Sequence, residues 1–331
     1  MSGEQVWVLD DPRVGTAVQA IAIAERLGVP FRRIPLSWNW MAHVAGLAPR
    51  GSLLGLSSVG RGTGEGVPAG MPMDVFGQEK GPVLTLSSGS RSAAVALWVK
   101  QRFGSFAVHC MRPGFQAGAF DLLVLPRHDR RPLGARVVEV LGAPNRVTSL
   151  GLRRAKFAWS ERLGHLPQPR VALLVGGAAR GDLSPALAHD LGRRVARLAA
   201  SLGGSVLATT SRRTGHEATE ALASGLGSAM HVLFRWGEPG DNPYLGFLAL
   251  ADAIVVTADS VSMISEACAT SAPVFIAAPQ LAGPRQRRLM ASLFEDDQAR
   301  PLGRDLSPWD RTPLDEASLV AGQIRRLCPL E

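Results

Sequence analysis

The sequence contains little lysine and little cysteine. Only three of its 36 basic residues are lysines, so the net charge of +8 rests on arginine. These arginines form no stripe with interleaved aromatic side chains, which argues against a nucleic-acid partner, although attraction to anionic ligands stays open. The three cysteines, Cys110, Cys268 and Cys328, lie far apart without CxxC spacing. Their number and spacing indicate a reducing compartment and no structural metal.

Long apolar runs are also missing. No run approaches the ~18 residues that a membrane span needs, and Asp252 interrupts the stretch YLGFLALADAIVV. The first residues, MSGEQVWVLDD, carry acids and lead directly into a strand pattern, unlike a signal or transit peptide. We expect a cytoplasmic protein, and a peripheral contact with the inner face of a membrane stays open.

Motifs of covalent and metal catalysis are absent from the sequence. It has no GxSxG elbow, no Walker GxxxxGK[ST], no HExxH and no histidine pair at ligand spacing. We therefore expect neither a bound metal nor a resident cofactor.

Short apolar runs alternate with helical patterns almost throughout the chain, apart from a Gly- and Pro-rich excursion at 51–82. Such alternation predicts parallel sheets with helices on both faces, and 331 residues suit two domains. We expect an α/β protein of two doubly wound, Rossmann-like domains with a cleft between them. The expected parts are an N-terminal domain at 1–155, a linker at 156–169, a C-terminal domain at 170–310 and a last helix at 311–331 that can cross back to the first domain.

The candidate site lies in the loops after the C-terminal strands, because open parallel sheets bind ligands beyond the carboxyl ends of their strands. Gly176 and Gly177 allow a ligand close to backbone amides, or they form only a tight strand–helix turn. The four loops share glycine, hydroxyl and amide residues: GGAARGD (176–182), SRRTG (211–215), GEPGDNP (237–243, with Asn242) and ADSVSM (258–263).

The SRRT turn carries fixed positive charge. Arg212 and Arg213 offer the forked donors that suit phosphate oxygens. Ser211 and Thr214 add hydroxyls, and the next helix adds the positive end of its dipole. The alternative is a pair of arginines bound to surface acids.

The stretch ADSVSMISEA predicts a second helix start. Asp259 or Ser260 can cap it, and Ser260 with Ser262 leaves amides and hydroxyls at its first turn. Glu266 lies six residues beyond Ser260, where a carboxylate can accept the two hydroxyls of a ribose.

The N-terminal half offers a general base at its strand ends. His128 with Asp129 forms one candidate pair, since histidine titrates near neutral pH. Asp11 follows the first strand and is another candidate.

Several blocks of sequence strongly resemble one family. These are TTSRRT, the run NPYLGFLALADAIVVTADSVSMISEA followed by APVFIA, and the earlier FDLLVLPRHD and LGAPNRVT. They resemble the mitochondrial fission ELM (elongated mitochondria) family over nearly the whole chain, in the same order. The family is similar to GT-B glycosyltransferases in fold.

The resemblance implies a nucleotide-sugar diphosphate as substrate in the C-terminal domain. On this model Arg212 and Arg213 hold the diphosphate, residues 260–263 (Ser260 to Met263) present helix amides, and Glu266 takes the ribose. His128, Asp129 or Asp11 deprotonates the acceptor hydroxyl.

Three functions stay open. The leading hypothesis is a bacterial, metal-independent glycosyltransferase acting on an envelope or lipid-linked acceptor. A nucleotide-sugar epimerase is the second, with His128–Asp129 and Asp10–Asp11 as acid/base pairs. A non-catalytic binding or recruiting module is the third.

Overall fold

The structure, a computed structural model, describes residues 5–41, 51–53, 55–59, 80–114, 117–127, 129, 132, 134–178, 183–328 and 330. The chain divides into two compact units. The first joins Met1–Arg146 with Asp315–Glu331, and the second is Val147–Leu314.

The first unit contains a seven-stranded sheet in the order β3-β2-β1-β4-β5-β6-β7. All neighbouring strands are parallel except β2 and β3. The strands are β1 Val6–Asp10, β2 Phe31–Trp38, β3 Leu56–Val59, β4 Leu84–Ser88, β5 Phe106–Cys110, β6 Leu122–Pro126 and β7 Val137–Val140, and the helices after β1 and β4 are α1 Val14–Leu27 and α2 Ser90–Phe103.

Helix α1 shows how the apolar pattern builds this unit. Its residues Ala17, Ile21 and Ala24 recur at helical spacing and are buried against Val6 of β1. The helix ends at Gly28, which takes the left-handed conformation (φ 72°) that glycine adopts without steric cost.

The second unit contains a six-stranded, wholly parallel sheet in the order β10-β9-β8-β11-β12-β13. Helix α3 (Ser149–Leu163) precedes the sheet. The elements that follow are β8 Arg170–Val175, α4 Pro185–Ser201, β9 Ser205–Thr210, α5 His216–Leu226, β10 His231–Phe234, α6 Tyr244–Leu250, β11 Ala253–Thr257, α7 Val261–Cys268, β12 Val274–Ala277, α8 Pro284–Glu295 and β13 Arg300–Pro301.

The expected α/β class with doubly wound parallel sheets is confirmed. Three described strands escaped the sequence analysis, namely β2, β3 and the two-residue β13. Strand β2 carries Arg32 and Arg33, which interrupt its apolar pattern. Strand β3 lies inside the excursion expected at 51–82, most of which is outside the described residues.

Helix α3 continues through Leu163 and so occupies the first part of the segment expected as a linker at 156–169. Leu163 is buried with Phe247 of α6, and the Trp159 ring lies so close to Gly246 that a Cβ there would collide with it. This narrow apolar stripe lies among charged residues in the sequence, so the sequence analysis did not predict the helix.

The last helix, α9 (Glu316–Leu327), lies in the first unit, where Val320 and Ile324 join the core beside α1. The buried carboxylate of Glu316 accepts hydrogen bonds from the backbone amides of Leu141 (2.7 Å) and Gly142 (3.1 Å) just after β7. These contacts fix the start of the helix to the sheet.

Candidate functional site

The order of the second sheet reverses between β8 and β11. From β8 the chain winds outward to β9 and β10, whereas β11 leads to β12 and β13 on the other side. In open α/β sheets a crevice forms at such a switch point, beyond the carboxyl ends of the two central strands. The loops after β8 and β11 therefore meet at the place where this fold binds ligands.

The glycine loop after β8 is bonded to the loop after β11. The backbone amide of Gly176 donates to Thr257 Oγ1 (2.8 Å), and that of Gly177 donates to Asp259 Oδ2 (2.8 Å). A Cβ on Gly176 would collide with the Asp259 carboxylate, and one on Gly177 with the backbone of Arg213. Both glycines are thus required by close packing of three loops.

Asp259 is the centre of this arrangement, and its side chain is fully enclosed. Besides the Gly177 amide, its carboxylate accepts hydrogen bonds from the Thr257 hydroxyl (2.8 Å) and from Arg213 Nη2 (3.0 Å). The sequence analysis left Asp259 and Ser260 open as caps of α7. The structure assigns the cap to Ser260, whose Oγ accepts from the Met263 amide at 3.4 Å.

Thr214, which is fully buried, connects the SRRT turn to the same hydrogen-bond network. Its hydroxyl accepts from the Ser211 amide (2.9 Å) and lies within hydrogen-bond distance of the Gly176 and Val175 carbonyl oxygens. Thr214 therefore positions the turn.

The two arginines of the turn have different surroundings. Arg213 bridges to Asp259 and remains 42% exposed. Arg212 is exposed and, among the described residues, has no hydrogen bond or ion pair. Arg212 therefore contributes uncompensated positive charge at this edge of the sheet.

Arg212 lines a cavity of about 510 Å³ beyond the ends of β9 and β10. Arg235 also lines this cavity and forms ion pairs with Glu220 (2.8 Å) and Glu238 (3.4 Å). The hydrogen bond from Arg235 lowers the pKa of Glu220. Trp236 presents an indole ring that is 58% exposed, while its amide donates to Thr210 Oγ1 (2.9 Å). The volume lies within the range of small-ligand sites.

Glu266 is hydrogen bonded to Tyr244, the single tyrosine of the chain. The Tyr244 hydroxyl donates to Glu266 Oε2 at 2.5 Å. Burial raises the pKa of Glu266 to about 7, and this hydrogen bond opposes the rise. Burial, together with the nearby carboxylate, also raises the pKa of Tyr244 well above its usual range.

Tyr244 also joins the predicted loop at 237–243 to α7. Its amide donates to Asn242 Oδ1 (3.0 Å) at the end of the loop 237–243, while its hydroxyl reaches Glu266. Ser262 and Met263 are half-buried in the first turn of α7. The four loops are thus connected through Thr214, Asp259 and Tyr244.

Two base candidates of the first unit, Asp11 and Asp129, lie at the ends of different strands. Asp11 is buried, and its carboxylate accepts from the Arg13 amide (2.9 Å) and from Trp38 Nε1 (3.0 Å). Asp129 follows β6, and strands β4 and β5 separate β6 from β1, a distance of roughly 14 Å at the usual strand spacing. His128 lies outside the described residues.

Sequence reasoning missed Tyr244, Trp236, Arg235 and His216, which line the cavity or hold Glu266. The segment HVLFRWGEPG places Arg235 and Trp236 directly after a strand, which is the signal that could have found them. No cluster of three His, Cys, Asp or Glu side chains suited to a metal ion occurs among the described residues. In the same part of the chain, no helix is both long and apolar enough to cross a membrane.

The fold is similar to that of several solved structures. A UDP-GlcNAc 2-epimerase from Methanocaldococcus jannaschii has a TM-score of 0.55 at 14% identity, with 97% of this chain and 99% of that chain covered. Arabidopsis thaliana UGT89C1, complexed with UDP-L-rhamnose, has a TM-score of 0.50 at 12% identity, with 98% and 93% covered. At these identities the similarity establishes the fold, which is of the GT-B type.

The model of the mitochondrial fission ELM1 family matches residues 14–328, so the chain belongs to that family. Mitochondrial fission protein ELM1 of Arabidopsis thaliana is 29% identical over 277 residues, which are 75% of this chain and 64% of that protein. An uncharacterized protein of Rickettsia prowazekii (strain Madrid E) is 24% identical, with 97% of each chain covered.

Proposed function

We propose that the protein binds a nucleoside diphosphate sugar at the carboxyl edge of the second sheet and transfers the sugar to a hydroxyl acceptor. The observation that carries this proposal is the network around Asp259, which holds the loops after β8, β9 and β11 together at the switch point. The fold similarity supports a UDP-sugar, because one similar protein is a UDP-GlcNAc 2-epimerase and another is complexed with UDP-L-rhamnose.

The diphosphate would lie between the SRRT turn and the start of α7. Arg212 supplies uncompensated charge, and Arg213 supplies the guanidinium donors that Asp259 does not use. The first-turn amides of α7, in residues 260–263, add the positive end of a helix dipole. Gly176 and Gly177 let the ligand approach the backbone.

The nucleoside would extend toward α6 and the cavity beside Arg212. In this arrangement Glu266 accepts the ribose hydroxyls, with Tyr244 holding its second oxygen. Asn242 and Ser211 lie on the loops that border this path. Trp236 offers an exposed ring on which a base can stack.

In the reaction, the acceptor oxygen bonds to the anomeric carbon of the sugar while the bond from that carbon to the diphosphate oxygen breaks. The acceptor proton passes to a base, and the nucleoside diphosphate leaves with its new negative charge facing Arg212 and Arg213. His128 and Asp129 are the proposed base pair. Asp11 suits this role less well, because its carboxylate already accepts two hydrogen bonds that hold the Arg13 loop and Trp38.

The proposed acceptor is a component of the cell envelope, reached by a protein that lies at the inner face of a membrane. Such an acceptor agrees with a cytoplasmic protein that meets the membrane only at its surface.

Thermal stabilisation by a panel of nucleoside diphosphates and their sugars tests the donor. A ligand at about 100 times its dissociation constant adds roughly 2.7 kcal/mol, which raises the melting temperature visibly. Arg212→Ala should reduce the affinity about tenfold or more, since a hydrogen bond to a charged group contributes roughly 1.5–3 kcal/mol. Arg197→Ala is the matched control, because Arg197 is an equally exposed arginine on α4 outside these loops. If the nucleotide raises the melting temperature of both variants as much as that of the wild type, the diphosphate does not bind at the SRRT turn.

Turnover without acceptor separates the alternatives. An epimerase consumes the nucleotide sugar alone, whereas a transferase needs the acceptor. If no nucleotide stabilises the protein, the non-catalytic recruiting module replaces both enzymes.

A further inference from the structure

Helix α3 carries an apolar face that the described part of the chain leaves uncovered. Phe157 is 88% exposed, the highest value for a large apolar side chain among the described residues, and Leu150 is 49% exposed. The two residues are seven positions apart, so they lie on the same side of the helix, two turns from each other. The opposite side packs on α6 through Trp159 and Leu163.

Three cations surround this apolar pair. Arg153, Arg154 and Lys156 are exposed, and among the described residues none of their side chains has a carboxylate partner. Arg162, at the end of the same helix, differs because it pairs with Asp241 (3.1 Å) and lies over the Trp159 ring. The uncompensated charge is therefore concentrated around Phe157.

A groove of about 270 Å³ lies beside the helix, and Arg153 and Lys156 are among the residues that line it. The apolar side chains that line it include Leu152, Leu248 and Pro313. The carbonyl groups at the end of α7, which would repel an anion, accept hydrogen bonds from the Arg311 guanidinium instead. The groove thus combines apolar and polar lining residues with two cations, Arg153 and Lys156.

We propose that α3 docks the protein on the surface of an anionic phospholipid membrane. Phe157 and Leu150 enter the boundary between headgroups and acyl chains, and Arg153, Arg154 and Lys156 contact headgroup phosphates. Basic and apolar side chains on one helix face match this interface. A second copy of the chain fits the face less well, because a two-fold contact would bring like charges together.

This surface is separate from the proposed nucleotide site, and vesicle binding is measured without nucleotide. The two proposals therefore fail independently. If vesicles bind while no nucleotide does, the docking surface stands without the enzyme.

Flotation of the full chain with vesicles of phosphatidylcholine containing about 30% phosphatidylglycerol tests the proposal, with pure phosphatidylcholine as reference. We expect binding to the anionic vesicles alone. Phe157→Ser should lower the partition coefficient about tenfold. The double variant Arg153→Glu and Lys156→Glu should lower it by at least about 25-fold, at roughly fivefold per basic residue.

Matched controls change the same properties elsewhere in the second unit. Arg197→Glu with Arg304→Glu alters the net charge equally, and Leu202→Ser removes another half-exposed apolar side chain. These controls should float like the wild type. The proposal would be overturned if the control variants lost as much vesicle binding as the α3 variants, or if the wild type did not bind the anionic vesicles. A wild-type dimer that Phe157→Ser dissociates, without vesicle binding, would assign the face to a second copy.

Discussion

Replacing Asp259 with alanine should strongly destabilise the second unit. The side chain is fully enclosed, and its removal leaves the Gly177 amide and the Thr257 hydroxyl without their acceptor. Each buried donor left unpaired costs about 1–3 kcal/mol. The lost bridge to Arg213, which is 42% exposed, adds at most about 1 kcal/mol. The free energy of unfolding should therefore fall by roughly 4 kcal/mol.

Urea unfolding measures this loss, with the slope of the transition expected to stay constant. Asp259→Asn keeps the volume and one acceptor, so its loss should be about half as large. Asp190→Ala is the control, because Asp190 is exposed and pairs with Arg193 only at the surface; its effect should stay within about 0.5 kcal/mol. A loss below about 1 kcal/mol for Asp259→Ala would refute the idea that this carboxylate joins the three loops.

Three further predictions follow from single residues. Because the pKa of Glu266 is about 7 in the folded protein and its usual value is 4.5, the folded state binds more protons between these values. The free energy of unfolding should thus fall as the pH rises from about 5 to about 7. In the Glu266→Gln variant, the free energy of unfolding measured with urea at pH 5 and pH 7 should fall less than in the wild type. The same fall in the variant and the wild type would contradict the burial of this carboxyl group. Gly177→Ala should lower the melting temperature, because the added Cβ collides with the backbone of Arg213. The control Gly322→Ala, which has open space around it in α9, should raise the free energy of unfolding by up to about 1 kcal/mol. Equal effects of the two variants in thermal melts would count against the close packing of Gly177. Arg311→Lys should lower the free energy of unfolding in urea by about 2 kcal/mol or more. One ammonium group cannot replace the guanidinium hydrogen bonds to the carbonyl oxygens of Ala267, Cys268, Thr270 and Ala272. An unchanged free energy of unfolding would refute the role of Arg311 in binding these carbonyl groups at the end of α7.

The parallel sheets were predictable because their strands are short apolar runs followed by helical patterns. Val171 to Val175 of β8, for example, are buried on both faces of the sheet. In such strands no alternation of polar and apolar residues is needed. Helix α3 was not predicted, because its core contacts rest on a narrow apolar stripe that includes Trp159 and Leu163.

The placement of the candidate site at the strand ends was also predictable, but the partners within it were not. Asp259 and Gly177 are bonded although they are 82 positions apart, and Tyr244 and Glu266 are 22 positions apart. No local pattern encodes such pairs, because they depend on how the strands are ordered in the sheet. For the same reason Asp259 resembled a helix cap in the sequence, whereas it joins three loops in the structure.

The different partners of the two arginines were equally hard to predict from the sequence. Arg212 and Arg213 are equivalent in the sequence, but the turn held by Thr214 directs only Arg213 to Asp259. Charge alone predicts an anion site at this turn. Only the folded loops show which of the two arginines is left without an ion pair among the described residues.

Hydrogen exchange of the backbone amides with and without UDP or a UDP-sugar tests the central claim most directly. A nucleotide bound at the carboxyl edge of the second sheet should slow exchange in the loops after β8, β9 and β11, at 176–178, 211–215 and 258–263, and leave the exposed face of α4 around Arg197 unchanged. Absence of protection in these loops, or protection confined to another part of the second unit, would contradict a nucleotide site built around Asp259.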